Sequence, residues 1–462
     1  MSARLNSIQA RDIAYYLHPY TNLGVHEKEG PLVITHGEGI YVFDENGKKY
    51  IEGLAGLWCA SLGFNEDRLV EAAARQMRKL PYYHAFGSKS NEVGIELAER
   101  LIAMAPVPMS KVLFTSSGSE ANDTAVKLVW YYHNAIGKPE KKKIIARIKG
   151  YHGVTVASAS LTGLPNNHRD FDLPIARILH TDCPHFWRFG MPGESEDAFS
   201  TRCAESLEAL IQKEGPETIA AFFAEPVMGA GGVIVPPRGY FEKIQKVLKK
   251  HDILFVADEV ICGFGRTANM FATETYKLQP DMITIAKQLS SGYLPIAGLM
   301  IADKIYQAMV KESEKIGVFG HGYTYGGHPV PAAVALETLK IYEERDILAH
   351  VRRVSPRLQE GLRKIGKHPI VGEARGVGLI GGVELVKNKE TKEAFQPTDG
   401  AGAYAAKRCQ ANGLITRAMG ESIGICPPLI VKESEIDELL ARLAKSLDET
   451  HVWLRESRLI AA

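Results

Sequence analysis

The stretch DMITIAKQLSSGYLP, residues 281–295, opens as a short apolar strand and places Lys287 where that strand stops. A lysine on the surface needs no explanation. In a partly desolvated site its amine loses basicity and becomes a nucleophile. An ion pair with Asp258 or another acid is the alternative. The surrounding sequence has to decide between them.

Outward from this stretch, KVLFT (111–115), KKIIARI (142–148), AAFFAEP (220–226), DILFVADE (252–259) and IAGLMIA (296–302) also read as apolar strands. Helical patterns lie between several of them: EANDTAVKLVWYYHNA (120–135), FSTRCAESLEALIQKEG (199–215) and FEKIQKVLKKH (241–251). This alternation predicts an α/β fold with a largely parallel sheet covered by helices on both faces. Ligands in such folds sit outside the carboxyl ends of the strands.

The two ends of the chain read differently. GIYVFDENGKKYIEGLAG (39–56) sets Glu45-Asn46-Gly47 between two β-like runs, a hairpin signal. A long helical pattern fills 330–366, ARGVGLIGGVELV (374–386) reads as strands, and SEIDELLARLAKSLDETHVWL (434–454) as an amphipathic helix. The expected division is a large domain over 71–329 and a smaller α+β domain over 330–462, with the segment 1–70 packed beside the latter.

Bulk properties narrow the function. The 462 residues are 45% apolar and 24% charged, ordinary for a globular protein, and too many for one small core. A net charge of +1 gives no electrostatic case for nucleic acid or an anionic membrane. Six scattered cysteines form no CxxC, so neither a zinc site nor a redox pair is suggested, and their sparseness fits a reducing cytoplasm. The first thirty residues lack the apolar core of a signal peptide, and no apolar run approaches a membrane span.

Four features fall at carboxyl ends of expected strands. TSSGSEAND (115–123) joins a strand to a helix with small residues, a setting for an anion such as phosphate; a plain turn capped by Ser119 is the alternative. Asp258 follows an apolar strand and calls for a cation; a metal is the other option, but no cluster of His or Asp at ligand spacing supports it. Lys287 is the third. Tyr151, in Tyr151-His152-Gly153, could stack on a flat ligand or pack in a core. Together, an anion loop, a buried acid, a lysine and an aromatic ring are what pyridoxal phosphate requires: an amine for its aldehyde, a helix N-terminus for its phosphate and a carboxylate for its ring nitrogen.

With these residues in place, the chain resembles the class III aminotransferases of pyridoxal phosphate fold type I, and within them the omega-amine:pyruvate transaminases. GLAGLWC (53–59), TSSGSEAND (115–123), GYHGVTVAS (150–158), ADEVICGFGRT (257–267), AKQLSSGYLPI (286–296) and GHGYTYGGHPV (320–330) follow the family's pattern in order. The resemblance implies that Lys287 is the Schiff-base lysine and the proton carrier. It implies that Asp258 binds the pyridine nitrogen, Tyr151 and Val260 flank the ring, Gly118 and Ser119 hold the phosphate, and Glu225 supports the cofactor. Thr324 would reach the phosphate from a neighbouring subunit, which makes the active unit a homodimer or a tetramer of dimers. Trp58, Tyr20, Phe86, Tyr151 and Ala230 would line the substrate pocket. Arg417, in GLITR, would meet the carboxylate of a keto acid, pyruvate foremost, and swing aside for an amine without one. The family pattern often continues there with Gly-Asp, whereas this chain has Gly420-Glu421.

The expected reaction is ping-pong transfer of an amino group from a diamine, an omega-amino acid or an aryl-alkyl amine to pyruvate. A dialkylglycine decarboxylase or an aminomutase would share Lys287 and Asp258. A non-catalytic cofactor-binding regulator would need a DNA-binding extension or a basic surplus that the sequence does not carry. A nucleotide-binding enzyme is disfavoured because no GxGxxG or GxxxxGK[ST] occurs at a strand-to-helix turn.

Overall fold

The computed structural model describes residues 7–460. At its centre is a seven-stranded sheet in the order Lys111–Thr115, Ala297–Ile301, Met282–Ile285, Leu254–Asp258, Ile219–Ala224, Lys143–Arg147, Ile178–Thr181. The pairings from Met282–Ile285 through Ile178–Thr181 are parallel. Ala297–Ile301 runs antiparallel to both of its neighbours. Ile178–Thr181, at the sheet edge, is a strand that the apolar pattern did not reveal: its sequence ILHT is half polar and only partly buried.

Side-chain alternation explains why the central strands are apolar throughout. Ile145, Phe222, Phe255, Ile283 and Met300 join one core cluster, while Ile144, Phe223, Val256, Met282 and Leu299 join another. Successive residues of a strand point to opposite faces, so both faces of the sheet are covered and neither admits a polar stripe. The helix Gly118–Ala135 follows the edge strand, and its buried Ala125, Val126, Leu128 and Val129 pack on one face. Glu196–Glu214 and Tyr240–Lys250 cover the other through Leu207, Ile211, Phe241 and Ile244.

The N-terminal hairpin forms where Asn46-Gly47 was expected to turn it, pairing Tyr41–Asp44 with Lys49–Glu52. Asp44 fixes the turn: its Oδ1 accepts from the amides of Asn46 and Lys48 at 2.9 and 3.0 Å. Leu414–Ile415, from late in the chain, adds to this sheet in parallel beside Ile51 and Glu52. The helical pattern after Pro329 is two helices, Pro329–Glu344 and Ile347–Ile365. The break is at Asp346, whose φ is +45° and whose carboxylate caps the second helix at Ala349 N. A four-stranded antiparallel sheet, Val371–Val377, Ile380–Leu385, Ser422–Ile425 and Arg417–Met419, precedes the last helix, Glu433–Glu456. Among the described residues no helix is long and apolar enough to cross a membrane.

Candidate active site

The carboxyl ends of five strands of the seven-stranded sheet surround one cavity of about 190 Å³. Its lining includes Gly118, Ser119, Tyr151, Glu225, Asp258, Val260 and Lys287, seven of the eight positions assigned to the cofactor from the sequence. Each lies at, or within a few residues of, a strand end, where the chain leaves the sheet and its side chains can converge.

After Thr115 the chain turns into the helix Gly118–Ala135. The cap of this helix is Ser117, not Ser119 as the turn reading had it: Ser117 Oγ accepts from Glu120 N at 3.2 Å. The reason is that the helix starts two residues earlier than the apolar pattern suggests, which puts Ser119 inside the first turn. The amides of that turn have no acceptor within the helix. Gly118 packs against Val260, and a Cβ at 118 would lie 3.0 Å from a Val260 methyl. Ser119 Oγ accepts from Val154 N at 3.1 Å, tying the turn to the segment after Tyr151. That segment passes so close that a Cβ on Gly153, whose φ is +132°, would fall 2.5 Å from Ser119 Oγ.

Asp258 is buried and fully engaged. Its Oδ2 accepts from Asn122 Nδ2 at 2.8 Å and faces His152 Nδ1 at 2.8 Å, and its Oδ1 accepts from Val260 N at 3.1 Å. Asn122 Nδ2 also donates to the His152 carbonyl at 2.7 Å. The partners of Asp258 are therefore Asn122, His152 and the Val260 amide in place of the alternative ion pair with Lys287. Asn122 and His152 went unassigned in the sequence. The available signal was spacing: Asn122 follows Gly118 by four residues, one helical turn, so both face the cavity. Asn122 Oδ1 and His152 Nε2 remain buried without a protein partner.

Lys287 begins a short 3₁₀ turn directly after Met282–Ile285, with φ at +49°. Left-handed backbone at a non-glycine residue is strained, of order 1–3 kcal/mol, and is held by its surroundings. Here Gln288 Nε2 donates to the Ile261 carbonyl at 2.7 Å, locking the turn to the Asp258 loop.

Glu225 accepts from Tyr151 N at 2.9 Å and from Gly229 N at 2.8 Å. Complete burial pushes its carboxyl above the ordinary range. It thus lines the cavity and braces two loops at once. Burial, with Tyr20 beside it, also drives the Tyr151 phenol well above its usual value.

Tyr151, Tyr20 and Arg417 come together. The Tyr20 and Tyr151 rings meet edge to face at 6.5 Å, and the Arg417 guanidinium lies 5.3 Å from the Tyr20 ring centre. Arg417 starts the strand Arg417–Met419, opposite Gly424. The departure at Gly420-Glu421 has a local role: Glu421 accepts from Gly402 N at 2.7 Å and anchors the turn that follows this strand.

The other expected pocket residues stand apart from the cavity lining. Trp58 is 2% exposed, packed with Leu54, Val227 and Ile261. Ala230 is half-buried in the loop closed by the Met228–Ile234 bridge. Phe86 is half exposed and lines a separate groove of about 590 Å³ with His321, Tyr323 and Gly326. Thr324, exposed on the same loop, offers its carbonyl to Tyr82 Oη at 2.8 Å and does not reach the Lys287 cavity of its own chain.

Comparison with known proteins follows the same lines. The family model "Aminotransferase class-III" matches residues 23–447. The chain is 55% identical to gamma aminobutyrate transaminase 3, chloroplastic, of Solanum lycopersicum, over 98% of this chain and 88% of that one. It is 51% identical to vanillin aminotransferase of Capsicum chinense, over 95% and 96% of the two chains. A solved omega transaminase from Pseudomonas jessenii, in complex with PMP, superposes with a TM-score of 0.95 at 56% identity, covering 97% of this chain and 99% of that one.

Proposed function

This chain belongs to the class-III aminotransferases, and from that membership we propose how its residues divide the work of transamination. It is a pyridoxal-phosphate-dependent enzyme that moves an amino group from an amine to a keto acid. The cavity suits that cofactor. It offers helix N-terminal amides on one side, a carboxylate with spare polar capacity beside it at Asn122 and His152, and a lysine amine. When bound, pyridoxal phosphate supplies an aldehyde that bonds amines and a ring that withdraws electrons from the adjacent carbon.

The chain's own residues do the rest. With the cofactor bound, Lys287 Nζ would hold it through its aldehyde and would be the base that moves a proton at the reacting carbon. Asp258 holds a proton on the ring nitrogen, its own orientation set by Asn122, His152 and Val260 N. Gly118 and Ser119 bind the phosphate at the helix N-terminus. Tyr151 and Val260 would flank the ring, and Glu225 fixes the Tyr151 backbone.

Thr324 and Phe86 act on the site of a second copy, making the working unit a homodimer or a tetramer of dimers. Their place in a groove away from their own chain's cavity supports this. Trp58, Tyr20, Tyr151 and Ala230 bound the substrate space. Arg417 binds the keto-acid carboxylate, with pyruvate as acceptor and a diamine, omega-amino acid or aryl-alkyl amine as donor. The pairing of Leu414–Ile415 with the N-terminal hairpin supports a division into a large domain, 71–329, and a small one, 330–462, packed with 1–70. Six free cysteines fit a cytoplasmic setting.

The observation that carries this reading is the convergence of Lys287, Asp258 and the Gly118 helix start on one cavity. The test is the visible spectrum of the loaded enzyme. The cofactor band should bleach on adding an amine without a carboxylate and return on adding pyruvate. Lys287→Ala should abolish turnover. A band that responds only to amino acids would sink the amine assignment; normal turnover by Lys287→Ala would remove the mechanism.

A further inference from the structure

Two groups of three metal-ligating side chains occur among the described residues. The first, His185, Glu373 and Glu384, is already filled by a cation. Arg375 Nη1 lies 2.6 Å from Glu373 and 2.8 Å from Glu384, and Arg188 bonds the other Glu384 oxygen. The second is built differently. Asp12 lies on the helix Ile8–Tyr15, His18 in the turn after it, and His26 on the helix Leu23–Glu29. His18 Nε2 sits 2.9 Å from both Asp12 oxygens, and His26 Nε2 sits 3.1 Å from Oδ1. Among the described residues no lysine or arginine pairs with Asp12.

His26 adds a separate observation. Its side chain is 10% exposed, yet its Nε2 has no hydrogen-bond partner, because its approach to Asp12 is close but misaligned. A buried ring nitrogen aimed at a carboxylate without bonding it is a group waiting for another partner.

We propose that Asp12, His18 and His26 form a zinc-class divalent metal site with two imidazoles and one carboxylate. Tetrahedral zinc, with bonds of about 2.0–2.1 Å, sets neighbouring ligand atoms about 3.3 Å apart. The two His–Asp separations, 2.9 and 3.1 Å, need to open by only a few tenths of an ångström, and the rings of His18 and His26 lie side by side with centroids 4.3 Å apart. His18 and Asp12 are 24% and 18% exposed, which leaves a path for the ion and for water as the fourth ligand. Two imidazoles with a carboxylate favour zinc, copper or nickel over calcium or magnesium. The spacing of six and then eight residues matches no ligand motif, which is why the sequence suggested no metal. The site clamps both ends of the loop that carries Tyr20, the residue against Tyr151 and Arg417. Metal occupancy would thereby steady one wall of the substrate space.

The holoenzyme, stripped of metal by dialysis against EDTA, is titrated with zinc chloride in a calorimeter. One site per chain is expected. Asp12→Asn and His26→Ala should each weaken it by at least about tenfold while the cofactor band is unchanged. Cobalt bound to the unaltered enzyme should give visible bands of nitrogen and oxygen coordination without a thiolate charge-transfer band. Stoichiometric zinc binding that survives both substitutions, a cobalt–thiolate band, or no stoichiometric binding at all would each overturn the proposal.

Discussion

Replacing Gly153 by alanine tests whether the turn that begins the Gly118 helix is held from outside. A Cβ at this position would lie 2.5 Å from both Ser119 Oγ and Ser158 Oγ, and 2.8 Å from Ser119 Cα. The serine hydroxyls can rotate away, but the Cα cannot. The alanine must also adopt φ near +132°, where L-residues are strained. Overpacking costs about 1–3 kcal/mol, and the backbone conformation a similar amount. The chain can relieve this by displacing Ser119, whose amide is assigned to the phosphate. If ~2 kcal/mol of the strain reaches the bound state, the cofactor dissociation constant rises ~30-fold. The assay is titration of cofactor-free enzyme with pyridoxal phosphate, followed by its visible absorbance. Ser158→Ala removes one of the two close oxygens but not Ser119 Cα, so Gly153→Ala should remain weak in that background. Wild-type affinity in Gly153→Ala would refute the claim that this contact shapes the phosphate turn.

Arg417→Ala should raise the KM for pyruvate by about 10- to 150-fold, the loss of a charge-assisted bond worth about 1.5–3 kcal/mol. The half-reaction with an amine lacking a carboxylate should keep its rate, which single-turnover spectroscopy resolves. Burial pushes the Glu52 carboxyl up to about 7 from its ordinary 4.5. The folded chain therefore holds a proton in that window that the unfolded chain releases, so this group's contribution makes stability fall as pH rises from 4.5 to 7, by up to ~3 kcal/mol. Unfolding midpoints of Glu52→Gln across this range should show a flatter profile than wild type; an unchanged slope would remove Glu52 as the source.

The central sheet was legible because both its faces are buried, leaving apolar strands that sequence patterning detects. Ile178–Thr181 escaped because an edge strand need not be apolar throughout. Asp258 and Lys287 stood out as charges interrupting apolar runs at strand ends. Asn122 and His152 did not, since a neutral amide and an imidazole acquire meaning only from the carboxylate they approach in space. The break at Asp346 was invisible for a related reason: the apolar stripe resumes after it with little change. The positions of Phe86 and Thr324 depend on two loop paths, 80–91 and 317–328, that have no periodic signal to read.

The strand Leu414–Ile415 lies beside Ile51 and Glu52, and Lys48 Nζ donates to the Ala411 carbonyl across 363 residues of chain. During synthesis, the first sheet emerges long before its last strand exists. Its edge must stay open while the central sheet is made, since loop closure over such a span precedes any reward from pairing. A nascent chain stalled before residue 414 would carry an unsheltered hairpin edge, able to recruit strands from other chains. Synthesis of Leu414–Ile415, not collapse of the central core, would then be the event that completes the first sheet.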